Sequence, residues 1–172
     1  TLFRSLLAGA TAWSLAGTAQ RASVDEMVGR IAHADRMARF AAQRLGQPTV
    51  LVIDLDKQRL ARRVTLPDGT IESAPALGIP AELRLDRLVM PGEPGSAEVN
   101  TRRPGRHFDR GEVTINFSSQ GRSVSYGLRL ADDEGSRWLV FAGLTGQMTE
   151  INDEDEMDNL FALLTSGRPD AD

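Results

Sequence analysis

The histidines and serines of this chain are its candidate catalytic residues. Neither type occurs in the sequence pattern of a general base or of a serine nucleophile. The two histidines are His33, on a helical pattern, and His107, in an arginine-rich segment. Each is better explained as a solvated or packed residue than as a general base. Ser118 and Ser119 lack a histidine partner and the G-x-S-x-G turn of a nucleophilic serine. The absence of cysteine excludes thiol catalysis and thiolate metal sites, so the sequence predicts neither an enzyme, nor a bound cofactor, nor a small-molecule substrate.

Two groups of carboxylates could suggest a calcium site. Asp54 and Asp56 resemble the opening of a calcium loop, but Lys57 and Gln58 follow in place of the remaining oxygen ligands. A hairpin turn explains them better. The acidic run over 153–156 could also bind Ca²⁺, but acidic residues are typical of the first turn of a helix. We therefore predict a short helix there and no metal site.

An arginine cluster in the middle of the chain could face nucleic-acid phosphates. It consists of Arg102, Arg103, Arg106 and Arg110. Sites for nucleic acid combine such cations with aromatic stacking partners, whereas only Phe108 lies here and acidic residues flank the cluster. Contact with DNA through Arg102, Arg103 and Arg106 stays open, but the charge balance makes DNA the less favoured partner.

The first 45 residues show one helical pattern, and the rest of the chain must be arranged around it. Apolar or small residues recur every three or four positions: Phe3, Leu6, Ala10, Trp13, Gly17, Val24, Met27, Ile31, Ala34, Ala38, Ala41 and Leu45. An unbroken helix over 1–45 would reach roughly 68 Å, whereas a compact domain made of the remaining residues would measure about 35 Å. About half of the helix therefore needs a partner outside its own domain. Two helices broken near Gly17 are the alternative, since an interior glycine costs about 1 kcal/mol.

The two halves of this helix differ in character. Residues 1–19 carry one charge, Arg4, and could cover about 28 Å of bilayer, although serine, threonine and glycine make this a marginal membrane span. We expect its apolar side chains to be the assembly contacts: Phe3, Leu6, Ala10 and Trp13. From Arg21 onward the opposite face is charged, as in an amphipathic helix lying on a core. That face is predicted to hold Arg21, Asp25, Glu26, Arg36, Arg39 and Arg44.

After Leu45 the pattern changes to short β-type runs. Strands are predicted at Thr49–Asp54, Arg59–Thr65, Leu83–Val89, Glu112–Phe117, Ser123–Leu130, Arg137–Ala142 and Met148–Ile151. In the last third, alternation places Val113, Ile115 and Phe117, and then Val124, Tyr126, Leu128 and Leu130, on inward faces of an antiparallel meander. The segment 67–104 holds six of the eight prolines and is predicted to be mostly loop. The final helix is expected over 154–164, with Met157, Leu160, Phe161 and Leu164 on one face.

These elements predict an α+β fold, with a long N-terminal helix packed on antiparallel β-sheets and a short C-terminal helix. At 172 residues the chain is long enough for one domain plus the helix. We divide it into a helix over 1–46, a β domain over 47–151 and an acidic extension over 152–172. The extension is distinctive, since residues 132–172 hold eleven acidic residues against two arginines.

The order of four segments resembles the H-type minor pseudopilins of type II secretion and the related FimT-like minor pilins. These segments are ADRMARFAAQRLGQP over 34–48, TVLVID over 49–54, INFSSQGRS over 115–123 and TGQ over 145–147. The resemblance implies a helix that begins in the bacterial inner membrane as a single span and a globular domain in the periplasm. It also implies helix-to-helix packing with other pilin or pseudopilin subunits in a filament.

The start of the chain departs from that family. Family members begin with Phe-Thr-Leu, a glutamate shortly afterwards and an almost purely aliphatic run, whereas Arg4 follows Thr1-Leu2-Phe3 here. We expect residues to be missing before Thr1. The predicted function is a structural minor pseudopilin-like subunit. The alternative is a DNA-binding minor pilin or another envelope-anchored ligand-binding module.

Overall fold

The computed structural model describes residues 2–66, 68–92 and 105–166, and its side chains from residue 23 to residue 162. Two helices and ten strands follow one another in this part of the chain: α1 (Leu2–Leu45), β1 (Thr49–Asp54), β2 (Arg59–Thr65), β3 (Ile71–Ser73), β4 (Leu77–Gly78), β5 (Arg84–Met90), β6 (Arg106–Phe108), β7 (Glu112–Phe117), β8 (Tyr126–Ala131), β9 (Ser136–Phe141), β10 (Met148–Ile151) and α2 (Glu154–Ser166). The class is α+β, as predicted. Helix α1 runs through Gly17 and ends at Gly46, whose φ of 60° is the left-handed conformation common after a helix.

The strands form two antiparallel sheets. Sheet A has the order β3-β2-β1-β7, and β4 also pairs with β2. Sheet B has the order β10-β9-β8-β5-β6. Strands β8, β9 and β10 form the predicted meander. Strand β7, however, pairs with β1 in the other sheet, because the turn after Phe117 carries the chain from sheet A to sheet B.

One continuous core lies between α1 and the two sheets. Buried residues of α1 pack there with the inward faces of both sheets, including Val113, Ile115 and Phe117 of β7 as predicted. Alternation along β8 is also confirmed for Tyr126, Leu128 and Leu130. Val124 was wrongly placed in this strand: β8 begins at Tyr126, and Val124 lies in the preceding loop with 52% of its surface exposed.

A second, smaller core joins sheet B to α2. Met157 and Phe161 are fully buried against Trp138, Val140 and Val89. The predicted inward face of α2 is thus confirmed at these two positions, and Leu160 packs against the same core; the side chain of Leu164 lies outside the described range. Asp153 caps the helix by accepting from the amide of Asp155 at 2.9 Å.

Three short strands are not predicted by the sequence. They are β3, β4 and β6, with two or three residues each, and they fall in or near the proline-rich segment predicted to be mostly loop. Runs this short have no measurable alternation, so only their pairing with β2 and β5 reveals them. The predicted hairpin at 55–58 is confirmed, since the amide of Lys57 donates to Asp54 Oδ1 at 3.0 Å.

Candidate assembly site

The described core contacts of α1 begin at Val24, which is 5% exposed. Residues 2–21 precede that point and correspond to about 30 Å of helix. Phe3, Leu6, Ala10 and Trp13 all lie in this part of α1, and their side chains are outside the described range. No helix in the described part of the chain is both long and apolar enough to cross a membrane.

A buried ion pair anchors the other half of α1. Arg39 Nε donates to Asp35 Oδ2 at 2.7 Å, and both side chains are at least nine-tenths buried. Tyr126 Oη on sheet B donates to Asp35 Oδ1 at 2.8 Å. The Tyr126 ring stacks on Phe141, with 4.7 Å between ring centroids. We call Asp35, Arg39 and Tyr126 the Arg39 cluster.

The Arg39 guanidinium also binds the two loops at one end of the sheets. Its Nη1 donates to the carbonyl oxygens of Gly121 at 3.1 Å and Gly143 at 2.8 Å, and its Nη2 donates to Ser123 Oγ at 3.1 Å. It lies 5.0 Å from the centre of the Phe117 ring, within the range of a cation–π contact. One side chain of α1 therefore fixes the loops over 118–125 and 142–147 at once.

The two loops also bind each other. The amide of Ser123 donates to the carbonyl of Gly143 at 3.0 Å, and the amide of Gly143 donates to Ser125 Oγ at 3.0 Å. A Cβ atom on Gly143 would lie only 2.2 Å from the Ser123 carbonyl oxygen, so this contact requires glycine. The loops present two exposed apolar side chains, Val124 and Leu144.

Burial and charge both act on the tyrosine of this cluster. Tyr126 is fully buried, and desolvation followed by the negative charge of Asp35 raises its pKa well above 10. The phenol is therefore a donor at all ordinary pH values. This agrees with its role of stabilising the Asp35 carboxylate.

Arg39 was wrongly assigned to the solvated face of the helix. The buried face is in fact formed by Val24, Met27, Val28, Ile31, Asp35, Ala38, Arg39 and Ala42. The sequence does contain a signal for this burial. Asp35 and Arg39 are four residues apart, and they continue the spacing of three and four residues that Val28 and Ile31 begin. Charged side chains hid this continuation, because charge on a helix ordinarily marks the solvent side.

Part of the predicted apolar stripe lines an open groove instead of the core. Ala34 and Ala41 are only half-buried, and Leu45 is 46% exposed. With Met37 and Phe40 they form one wall, and β2 with the segment over 72–77 forms the other. The groove has one section of about 530 Å³ and a second of about 230 Å³. We call it the α1 groove.

Only one of the three arginines predicted for DNA contact lies in the described part of the chain. Arg102 and Arg103 lie outside the described part of the chain. Arg106 is exposed on β6, with its guanidinium 5.4 Å from the centre of the Phe108 ring. Contact with DNA stays a prediction.

The two histidines lie on separate elements of the fold. His33 is exposed on α1 beside the α1 groove, and His107 is half-buried in β6. Among the described residues, no group of three or more metal-ligating side chains comes together.

Comparison with solved structures identifies proteins of similar fold. Two structures of the minor pseudopilin EpsH from the type II secretion system of Vibrio cholerae superpose with TM-scores of 0.51 and 0.52 at 14% sequence identity. The matches cover 74% and 75% of this chain and 95% of each EpsH chain. No family model matches the sequence, and no curated protein matches it either. The resemblance predicted from the sequence is thus confirmed at the level of the fold.

Proposed function

We propose that this protein is a structural, pseudopilin-like subunit that assembles with other pilin-like subunits through the N-terminal half of α1. The observation that carries this proposal is the position of the core on the helix. Helix α1 is 44 residues long, and its described core residues lie between Val24 and Ala42. Residues 2–21 of the same helix correspond to about 30 Å. The apolar stripe continues along this segment through Phe3, Leu6, Ala10 and Trp13.

The fold supports the same proposal. EpsH is by its description a minor pseudopilin of a type II secretion system, and this chain matches 95% of its length. We infer a comparable place for this chain in a type II secretion or type IV pilus-like filament. The inference includes a single-pass inner-membrane position for α1, a periplasmic globular domain, and the unit boundaries at 46 and 151.

Substitutions on opposite faces of the N-terminal segment test the assembly. Ala10 lies on the apolar stripe, whereas Ala8 lies on the other side of the helix. We expect Ala10→Trp to reduce co-purification with co-expressed pilin-like subunits, because the larger ring blocks close helix approach, while Ala8→Trp leaves it unchanged. Equal recovery of both variants would contradict the proposal.

Separate experiments test the proposed membrane position and the alternative function. We expect the full-length protein to fractionate with inner membranes and its globular part to be digested by protease added to spheroplasts.

Binding of duplex DNA would instead favour the DNA-binding alternative, provided that the binding depends on salt and is lost when Arg102, Arg103 and Arg106 are all replaced by alanine.

A further inference from the structure

An arginine occupies the floor of the α1 groove. Inward-facing positions of β2 alternate Leu60, Arg62 and Val64, and the two flanking residues are 1% and 5% exposed. Arg62 Nη1 donates to the Met37 carbonyl at 3.3 Å. Its Nε is buried without a hydrogen-bond partner, and no carboxylate of the described residues lies within ion-pair distance of it. Such a position normally holds an apolar residue, because an unpaired buried donor is costly.

The helix leaves this floor uncovered. Opposite Arg62, α1 presents the small side chains of Ala34 and Ala41, so a space remains between helix and sheet. Larger apolar residues stand at its edge: Met37 is 37% exposed and Phe40 is 53% exposed. The lining of the space is more apolar than polar, and the space follows α1 from residue 26 to residue 45, a length of about 28 Å.

Charge at the groove favours an acidic occupant. The cations lining it are Arg30, Arg44 and Arg62, and the anions are Glu26 and Glu72. Within the described part of the chain none of these five side chains forms an ion pair. A carboxylate entering between the walls would therefore meet three cations against two anions, and it could form the ion pair that the Arg62 guanidinium lacks among the described residues.

We propose that the α1 groove receives an apolar segment of a neighbouring pilin-like subunit, with an aspartate or glutamate of that segment bound to Arg62. The inference rests on the proposed function, since it needs a neighbouring subunit. A protein segment fits better than an acyl chain, because small-molecule sites enclose most of their ligand, whereas this groove is open along its length.

Photo-crosslinking in cells tests the inference on the full-length protein. A benzophenone amino acid in place of Phe40 should crosslink to a pilin-like subunit, and mass spectrometry should place the crosslink within a few residues of an aspartate or glutamate. Arg62→Gln should lower the yield roughly tenfold, the loss expected for a charged hydrogen bond. The matched control is Arg63→Gln, which removes an exposed, outward-facing arginine of the same strand that pairs with Glu112 at 3.5 Å; its yield should be unchanged.

Charge reversal at the identified contact provides an independent readout. Arg62→Glu should abolish the crosslink, and replacing the partner's carboxylate by arginine should restore it. Thermal melts of each variant show whether the fold is kept. Unchanged yield in Arg62→Gln, crosslinking only to lipid or to the same chain, or failure of the reversal would each overturn the inference.

A second crosslinker position separates this inference from the proposed function. With the benzophenone at Trp13, crosslinks to pilin-like subunits are expected whatever the groove binds. Crosslinks from Trp13 but none from Phe40 would overturn the groove inference alone. Absence of crosslinks from both positions would overturn the proposed function as well.

Discussion

Arg39 joins three of the four segments that carry the sequence resemblance. It belongs to the segment over 34–48, packs against the Phe117 ring, and binds the carbonyl of Gly121 in the segment over 115–123. Its contact with Gly143 fixes the loop that contains residues 145–147, and Gly146 passes so near that a Cβ there would lie 2.8 Å from Arg39 Cδ. Three segments that are far apart in the sequence therefore meet at one side chain.

Removing the Arg39 charge should be strongly destabilising. In Arg39→Met the Asp35 carboxylate stays buried without its ion-pair partner, and breaking a buried pair in this way costs about 3–5 kcal/mol. Urea denaturation followed by circular dichroism should show this loss in the free energy of unfolding. Arg36→Met, at an exposed position of the same helix, should change it by less than about 0.5 kcal/mol. Similar losses in the two variants would show that Arg39 acts only as surface charge.

Tyr126 makes the protein sensitive to alkaline pH. Its pKa is raised above 10 in the folded protein, first by burial and then by Asp35, whereas the phenol of the unfolded chain ionises near pH 10. Above that pH the unfolded state binds fewer protons, so stability should fall as pH rises, by at most about 1.4 kcal/mol per pH unit. The stabilisation is fully present below pH 10.

This titration can be read directly, because Tyr126 is the only tyrosine. Absorbance at 295 nm should stay constant through pH 10 in the native protein and should rise only as the protein unfolds. In concentrated urea the same signal should titrate near pH 10. A native titration midpoint near pH 10 would show that the phenol is accessible and not bound to Asp35.

At the scale of elements, α2 depends on a close approach to sheet B. Gly127 is the second residue of β8, and a Cβ atom there would lie 3.3 Å from Phe161 Cε2. The ring therefore occupies the space that a side chain would need. A second anchor is the ion pair of Arg87 Nη1 with Glu154 Oε1 at 2.6 Å, while Arg87 Nε binds Asp109 at 3.0 Å.

Filling this space should detach α2 without unfolding the main core. We expect Gly127→Val to displace Phe161 at a cost of about 1–3 kcal/mol, because only the smaller core under α2 is disturbed. Hydrogen exchange should accelerate over 154–166, and Trp138 fluorescence should shift to the red. Gly135→Ala, where no atom lies within 4 Å of the added Cβ, should leave both signals unchanged. Faster exchange in α1 and β1 of Gly127→Val would contradict a separate α2 unit.

The predicted elements agree with the structure where apolar residues follow a clear periodic pattern or form a continuous run. Strands β1, β2, β7 and β10 have the predicted bounds, because each combines apolar alternation or a buried run with turn residues at its ends. Strand β8 starts three residues later than predicted, since Ser123 and Ser125 bond to the neighbouring loop rather than to a strand. The alternation of apolar residues does not show that serine side chains and amides bond to a loop instead of pairing in a strand.

At the scale of the whole molecule, the two sheets share one core with α1, whose described core residues lie between Val24 and Ala42. An ion pair between Arg137 on β9 and Asp25 on α1, with 2.8 Å between Nη1 and Oδ1, holds the helix to sheet B near the point where the core begins. The Arg39 cluster holds the helix again towards its other end. These two contacts fix the position of α1 on the sheets.

Sequence alone determined the class of the fold, the bounds of β1, β2, β7 and β10, and the start of α2, because each follows from the local spacing of apolar residues and from the turn or capping residues at the ends. Tertiary structure alone decided three other features: the burial of Asp35 and Arg39, the pairing of β7 with β1, and the opening of the α1 groove beside Ala34 and Ala41. These depend on which surfaces meet across the chain. A charged side chain can be buried when carbonyls and a phenol from distant loops satisfy it, and no local pattern records where those partners lie.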